Sequence, residues 1–166
     1  MLILTKGSID EGNTKYAQGG IAAAIGRDDS PRLHYEDTMA AGAGLCDPDA
    51  VRILTEEAPA RITDLIRFGV PFDTNDGEVA LTREAAHSVN RILHAGGDAT
   101  GEHIELTLAS LARLRNISIL EYAQATRILV DGVAARGIEA MDTRTHTTVA
   151  YEGRHVILAS GGAGRL

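Results

Sequence analysis

Tryptophan is absent from this 166-residue chain, and aromatic residues make up only 4% of it. A core built without large rings must be aliphatic and rich in alanine. Cysteine occurs once, at Cys46. That excludes an intrachain disulfide and argues against a metal–thiolate cluster. No apolar run approaches the roughly 18 residues of a membrane span, and the opening MLILTKGS is too short for a signal peptide. A soluble, cytoplasmic protein is expected. Lys and Arg never form a block, and the net charge is −7, which disfavours nucleic acid and anionic membrane as partners. A site for an anionic ligand must therefore build a local positive cluster against the global field. There is no internal repeat and no low-complexity segment. Also missing is a G-x-G-x-x-G element after the first strand. Gly42-Ala43-Gly44 and Gly161-Gly162-Ala163-Gly164 look similar, but neither opens a long helix with an acidic residue about twenty positions on.

What remains, 44% apolar and 23% charged, suits a single globular domain over residues 1–166. Leu2 to Thr5 read as a short buried parallel strand stopped by Gly7. Gly19 to Ile25 look helical, and a second helix covers about Leu33 to Ala41. Asp47-Pro48 is a strong helix start, with Asp as cap and Pro in the first turn. Val51, Leu54, Ala58, Ile62, Leu65 and Ile66 then form a helical stripe that Pro59 should kink or split and Gly69 should end. Asp73 to Gly97 read as a long functional loop region. Thr100 caps a further helix. Strands are expected at Ile117–Glu121, Ala125–Val130, Val133–Met141 and Thr147–Tyr151, with Asp131-Gly132 as a hairpin turn. A buried run, His155 to Ala159, closes the chain. The pattern is α/β with an antiparallel meander.

The stretch that suggests chemistry is Asn13-Thr14-Lys15-Tyr16-Ala17-Gln18-Gly19-Gly20, leading into Ile21-Ala22-Ala23-Ala24. Glycines let backbone N–H groups approach an anion, and a helix N-terminus favours negative charge. The same residues also suit plain packing. His87, His94 and His103 match no metal-ligand spacing, so no metal is expected, and His87 and His94 are read as shaping a ligand pocket.

Six motifs decide between these readings: TKYAQGGIAA, HYEDTMAAGAGLCDPDAV, GVPFD, LTREAAHS, RILHAGGDATG and VILASGGAG. In that order they resemble the succinate dehydrogenase and fumarate reductase flavoprotein family, across essentially the whole chain. The resemblance implies a partial FAD-binding, Rossmann-like domain that lacks its first βα unit and the capping domain, as an internal fragment that is itself inactive. It implies cofactor contacts from Lys6, Asn13, Thr14, Lys15, Tyr16, Ala17, Gln18, Gly19 and Gly20, and from Gln124 and Ala125 towards the adenine side. Respiratory members hold a flavin-bonding histidine where this chain has Asn13, so FAD should be non-covalent. Thr82-Arg83-Glu84 resembles the TRE of the family's aspartate-oxidising branch, where the glutamate sits by the substrate's α-amino group. Ala85-Ala86 stand where that branch commonly has two glycines. The implied reaction oxidises L-aspartate to iminosuccinate, with O2 or fumarate as acceptor, for NAD synthesis. Quinolinate synthase would be a pathway partner, and a homo-oligomer is conceivable. The alternatives are a fumarate reductase or succinate dehydrogenase flavoprotein fragment, and a folded fragment without catalysis.

Overall fold

Local capping signals set most boundaries in the computed structural model, which describes residues 1–84 and 86–162. Ala85, Ala163 and Gly164, named above, lie outside these. In chain order the elements are β1 (Leu2–Leu4), β2 (Ile21–Ala22), α1 (Pro31–Ala41), α2 (Pro48–Phe68), β3 (Thr74–Asn75), β4 (Glu78–Val79), β5 (Leu81–Thr82), β6 (Ile92–Leu93), α3 (Thr100–Leu114), β7 (Ser118–Leu120), β8 (Ala123–Asp131), β9 (Ala134–Asp142) and β10 (Thr148–Glu152). Single 3-10 turns cover Asn13–Tyr16 and Gly97–Ala99. The result is α/β, as expected.

Contacts divide the chain into two compact units, Thr14–Leu108 and the remainder. In the remainder, β1 pairs with β7 in parallel, Ile3 opposite Ile119. The antiparallel order β10-β9-β8 forms the meander; the expected hairpin is present, with its turn at Gly132 and Val133, one residue past the Asp131–Gly132 signal. In Thr14–Leu108, α1 packs on α2, and β2-β6-β5 form a small antiparallel sheet. Its core is Ala23, Ile62, Val70, Phe72, Leu93 and Ala95, with Ile21, Leu65, Leu81 and Ile104 packed against them. As the composition requires, this core is aliphatic with a single phenylalanine.

The helix ends show why these segments fold so. Ser30 caps α1 by accepting from Leu33 N, with Pro31 in the first turn. Asp47 caps α2 by accepting from Asp49 N and Ala50 N, and Gly69 closes it at φ +94. Such arrangements satisfy backbone groups that a helix end leaves open.

Five expectations need correction. Gly19 to Ile25 are not helical. Gly19 and Gly20 take φ +84 and +83, which no right-handed helix accommodates, and Ile21 pairs with Leu93 instead. The anion-favouring helix start after the glycine pair therefore does not exist. Pro59 does not split α2, which runs unbroken through it; Val51, Thr55 and Ile62, all buried along one face, hold the helix together across the missing bond. Residues 73–97 are not structureless. Asp76 and Gly77, at φ +51 and +84, make the primed turn between β3 and β4, and the paired segments are too short for alternation to show in sequence. Thr100 is the first residue of α3, not its cap; its hydroxyl accepts from Ala95 N and donates to Gly97 O. His155 to Ala159 form no strand, and Ile157 and Leu158 are 85% and 66% exposed. A strand in that run needs a pairing neighbour, and among the described residues it has none.

Candidate functional site

The glycine pair is fixed by what lies behind it. A Cβ on Gly20 would fall 2.5 Å from Leu93 O and 2.6 Å from Ile92 Cγ2, so only glycine lets this turn press on β6. A Cβ on Gly19 would meet only Glu84 Oε2, at 3.9 Å. Before the pair, Ala17 N donates to Thr14 O, and Ala17 O accepts from Gly101 N in the first turn of α3. This leaves Thr14, Tyr16, Ala17 and Gln18 exposed, with Lys15, Gly19 and Gly20 half-buried. Lys15 and Tyr16 have partners of their own.

Beside this turn stand Glu84 and His94. Glu84 is half exposed, and its Oε1 lies 3.9 Å from His94 Nε2. His94 Nε2 is 2.9 Å from Thr82 Oγ1, and its Nδ1 is 3.3 Å from Gly97 O. His94 lies against the glycine turn, its Cε1 3.0 Å from where a Cβ on Gly20 would fall. His87 does not. Its Nδ1 lies 3.5 Å from Arg91 Nη1, and its ring centroid is 5.7 Å from that of His34.

That neighbourhood is a feature sequence reasoning missed. Arg91 is fully buried. Its Nε and Nη2 donate to the two oxygens of Asp29 at 3.0 and 2.8 Å, and its Nη1 pairs with Asp37 at 2.8 Å. Ser88 N and Oγ both donate to Asp37 Oδ2. The cluster thus ties the turn before α1, α1 itself and the loop after Glu84 into one clasp. Ala86, inside that loop, takes φ +72. This is a glycine-favouring conformation, at the position where the family's second glycine is expected.

His34 in α1 is 5% exposed, and among the described residues its Nδ1 has no hydrogen-bond partner. Burial, then the Arg91 charge, then His87, hold its pKa below the ordinary 6.5, while Asp29 and Asp37 oppose the shift. The neutral ring is the folded form. The unfolded chain therefore binds a proton that the folded chain resists, and stability falls as pH drops through 6.5. Asp37 has its pKa held below 3.8, first by the Ser88 backbone N–H. The stability it contributes is present above that value and is lost in stronger acid. Urea midpoints are expected to decline from pH 7.5 to 5.5 in the wild type, and to flatten over that interval in His34→Phe.

In the other unit, Lys6 is exposed at the end of β1. Its neighbours Thr5 and Gly7 accept from Ala123 N and Tyr122 N. Gln124 and Ala125 are the second and third residues of β8, both exposed. Asn13 is exposed, and its Nδ2 would lie 3.7 Å from a Cβ on Gly161. These residues leave polar, accessible groups of the kind a dinucleotide needs. Among the described residues no His, Cys, Asp or Glu cluster suits a metal, and no helix is long and apolar enough to cross a membrane.

Comparison with known proteins bears on what such a surface takes. A family model described as FAD binding domain matches residues 1–166. The chain belongs to that family. The FAD-binding domain is 44% identical over 99% of its length to an L-aspartate oxidase of Streptomyces coelicolor, and 45% identical over 99% to one of Synechocystis. It spans about 30% of the length of these relatives. Among solved structures it is similar to a quinol fumarate reductase FrdA of Escherichia coli, at 32% identity and TM-score 0.89, covering 98% of this chain and 28% of that one. The FAD-binding-domain fold of the succinate dehydrogenase and fumarate reductase flavoproteins is thereby established, and FAD is the cofactor of the family. Plant relatives from Nicotiana tabacum and Arabidopsis thaliana are named chloroplastic.

Proposed function

We propose that residues 1–166 act as one FAD-binding domain of an L-aspartate oxidase, a protein that converts L-aspartate to iminosuccinate with O2 or fumarate as acceptor. The observation that carries this reading is Glu84, whose carboxylate stands 3.9 Å from the Cβ position of Gly19. An anionic side chain at that place suits an ammonium and repels a plain dicarboxylate. The identity of 40–45% to L-aspartate oxidases across the chain supports the same choice. Each unit separately offers groups a dinucleotide can use: in one, the Gly19–Gly20 turn is bare of side chains with Thr14 and Gln18 exposed beside it; in the other, Lys6 is an exposed positive charge.

FAD, when bound, supplies the two-electron acceptor for the hydride leaving the substrate's α-carbon. The chain's own part is to orient. Backbone N–H groups around Gly19 and Gly20 would face the flavin ring, Lys6 would offset phosphate charge, and Gln124 and Ala125 would line the adenine side. Glu84 would hold the α-ammonium. Asn13 has no imidazole to bond the flavin, so FAD is held non-covalently. The fumarate reductase reading rests on the TM-score of 0.89; the ammonium-directed Glu84 weighs against it. A cytoplasmic location is part of this reading; among the described residues no helix is long and apolar enough to cross a membrane, and the iminosuccinate formed would pass to quinolinate synthase.

The test is to mix the purified chain with FAD and follow quenching of flavin fluorescence. Saturable quenching is expected, with all flavin released into the supernatant on acid precipitation. Flavin that stays with the pellet would exclude the non-covalent assignment. Absence of quenching would leave the chain without its proposed cofactor role.

A further inference from the structure

Glu84 can hold an ammonium only if its oxygens are not already occupied by donors from the protein, and the groups around His94 bear on that. His94 Nδ1 is 3.3 Å from Gly97 O. A carbonyl only accepts, so Nδ1 carries a proton, and in the neutral ring Nε2 is then a bare acceptor. Thr82 Oγ1, at 2.9 Å, therefore donates to Nε2. The separation of 3.9 Å between Nε2 and Glu84 Oε1 agrees with this, because a bare nitrogen and a carboxylate oxygen have no proton to share. The other charged or titratable groups here are Asp73, which accepts from Gly96 N and Gly97 N, and His103, whose Nε2 would lie 2.5 Å from a Cβ on Gly96. With Asp73 held by those two amides, His94 takes up the hydroxyl of Thr82, a donor two positions from Glu84 in the chain.

We propose that His94 is a specificity-determining positioning residue: locked in one tautomer by the Gly97 carbonyl, it engages the Thr82 hydroxyl and leaves the Glu84 carboxylate open to an amino-group-bearing dicarboxylic ligand. The inference rests on the reading of Glu84 as the ammonium partner. It adds the reason that carboxylate stays available, and it makes discrimination depend on a residue that does not itself touch the ligand. Replacing His94 by a side chain without an acceptor frees the Thr82 hydroxyl to turn to Glu84. A hydrogen bond to a charged group is strong enough to cost the ligand about tenfold in affinity.

The experiment titrates the FAD-loaded chain with α-methylaspartate and with methylsuccinate. The two differ only in the ammonium, and neither carries an α-hydrogen together with an amino group, so no amino-acid oxidation intervenes. Binding is read from perturbation of the flavin absorbance. The wild type is expected to prefer α-methylaspartate, and Glu84→Gln to lose the preference. His94→Phe should cut the preference about tenfold. His94→Gln, whose amide oxygen still accepts from Thr82, should keep it, and the double variant His94→Phe with Thr82→Val should restore it. Restoration by a second deletion is not what a purely structural role gives, since removing more of the packing can only worsen it. If Glu84→Gln abolishes the preference while His94→Phe leaves it intact, the inference about His94 falls and the reading of Glu84 stands. If the wild type shows no preference at all, Glu84 is not an ammonium site and both fall.

Discussion

Replacing Arg91 with methionine should cost the protein about 3–5 kcal/mol of stability, the range found when one partner of a buried ion pair is removed. Two effects oppose each other. Methionine is similar in length and apolar, which favours a buried position. Against that, the side chain of Asp29 is 1% exposed and that of Asp37 14%, and both would lose the guanidinium that pairs them. Ser30 N donates to Asp29 Oδ1, and Ser88 donates twice to Asp37, but these bonds cannot neutralise two adjacent carboxylates. The uncompensated charge wins. Arg91→Lys should also destabilise, because an ammonium cannot make the paired contacts from Nε and Nη2 to one carboxylate. The consequences extend beyond stability. The backbone of Arg91 accepts from Ala23 and donates to Thr82, so the residue links β2 to β5 while its side chain reaches α1. Loss of the clasp should loosen the segment carrying Glu84. Urea denaturation of the two variants against wild type measures the first effect, and hydrogen exchange at Ser88 and Arg91 amides measures the second. A change below about 1 kcal/mol for Arg91→Met would mean that water reaches the cluster and that it is not the dry clasp described here.

The difference between what sequence revealed and what it hid follows from range. The start and end of α2 were legible because Asp47, Pro48 and Gly69 act on backbone groups within three or four residues. The hairpin signalled by Asp131-Gly132 was legible for the same reason. The glycine pair was legible as a special backbone but not as a special environment: Gly20 is pressed against Ile92 and Leu93, more than seventy positions away. Alanine content after the pair argued for helix, and tertiary pairing overrode it. Arg91 drew no attention because its partners are remote, with Asp29 62 positions off in sequence and Ser88 51 positions from Asp37. Nothing near it in the chain announces a buried ion pair. His155 to Ala159 illustrate the reverse error. The run has the composition of a buried strand, but burial is a property of neighbours, and Ile157 is left 85% exposed. On the candidate site, the family's motif order pointed to segments and to Glu84, whereas the pairing of His94 with Thr82 beside it became visible only in space.

Gly101→Ala is expected to be the most damaging single methyl group that can be added near the proposed flavin wall. A Cβ at this position would lie 1.9 Å from Thr14 O, 2.7 Å from Ala17 O and 2.9 Å from Ala17 Cβ. None of these is the end of a flexible side chain, so the helix start or the loop must shift. Helix propensity argues the other way, since alanine gains about 1 kcal/mol over glycine within a helix. That gain is uniform along a helix and small, whereas overpacking costs about 1–3 kcal/mol, occasionally more, and here three contacts are violated at once. Thr14 O accepts from Ala17 N, and Ala17 O accepts from Gly101 N, so displacing either carbonyl undoes the bonds that shape the turn before Gly19. Net destabilisation of up to about 2 kcal/mol is expected once the propensity gain is set against that overpacking cost. FAD affinity should fall by about tenfold or more, the equivalent of about 1.4 kcal/mol of lost loop geometry. Gly7→Ala is the matched comparison, because a Cβ there meets nothing within 4 Å; it should leave the unfolding midpoint and the flavin titration close to wild type. If Gly101→Ala instead binds FAD as well as Gly7→Ala does, then the Thr14–Ala17 turn moves without consequence for the cofactor, and the residues that position the flavin must lie elsewhere in the chain.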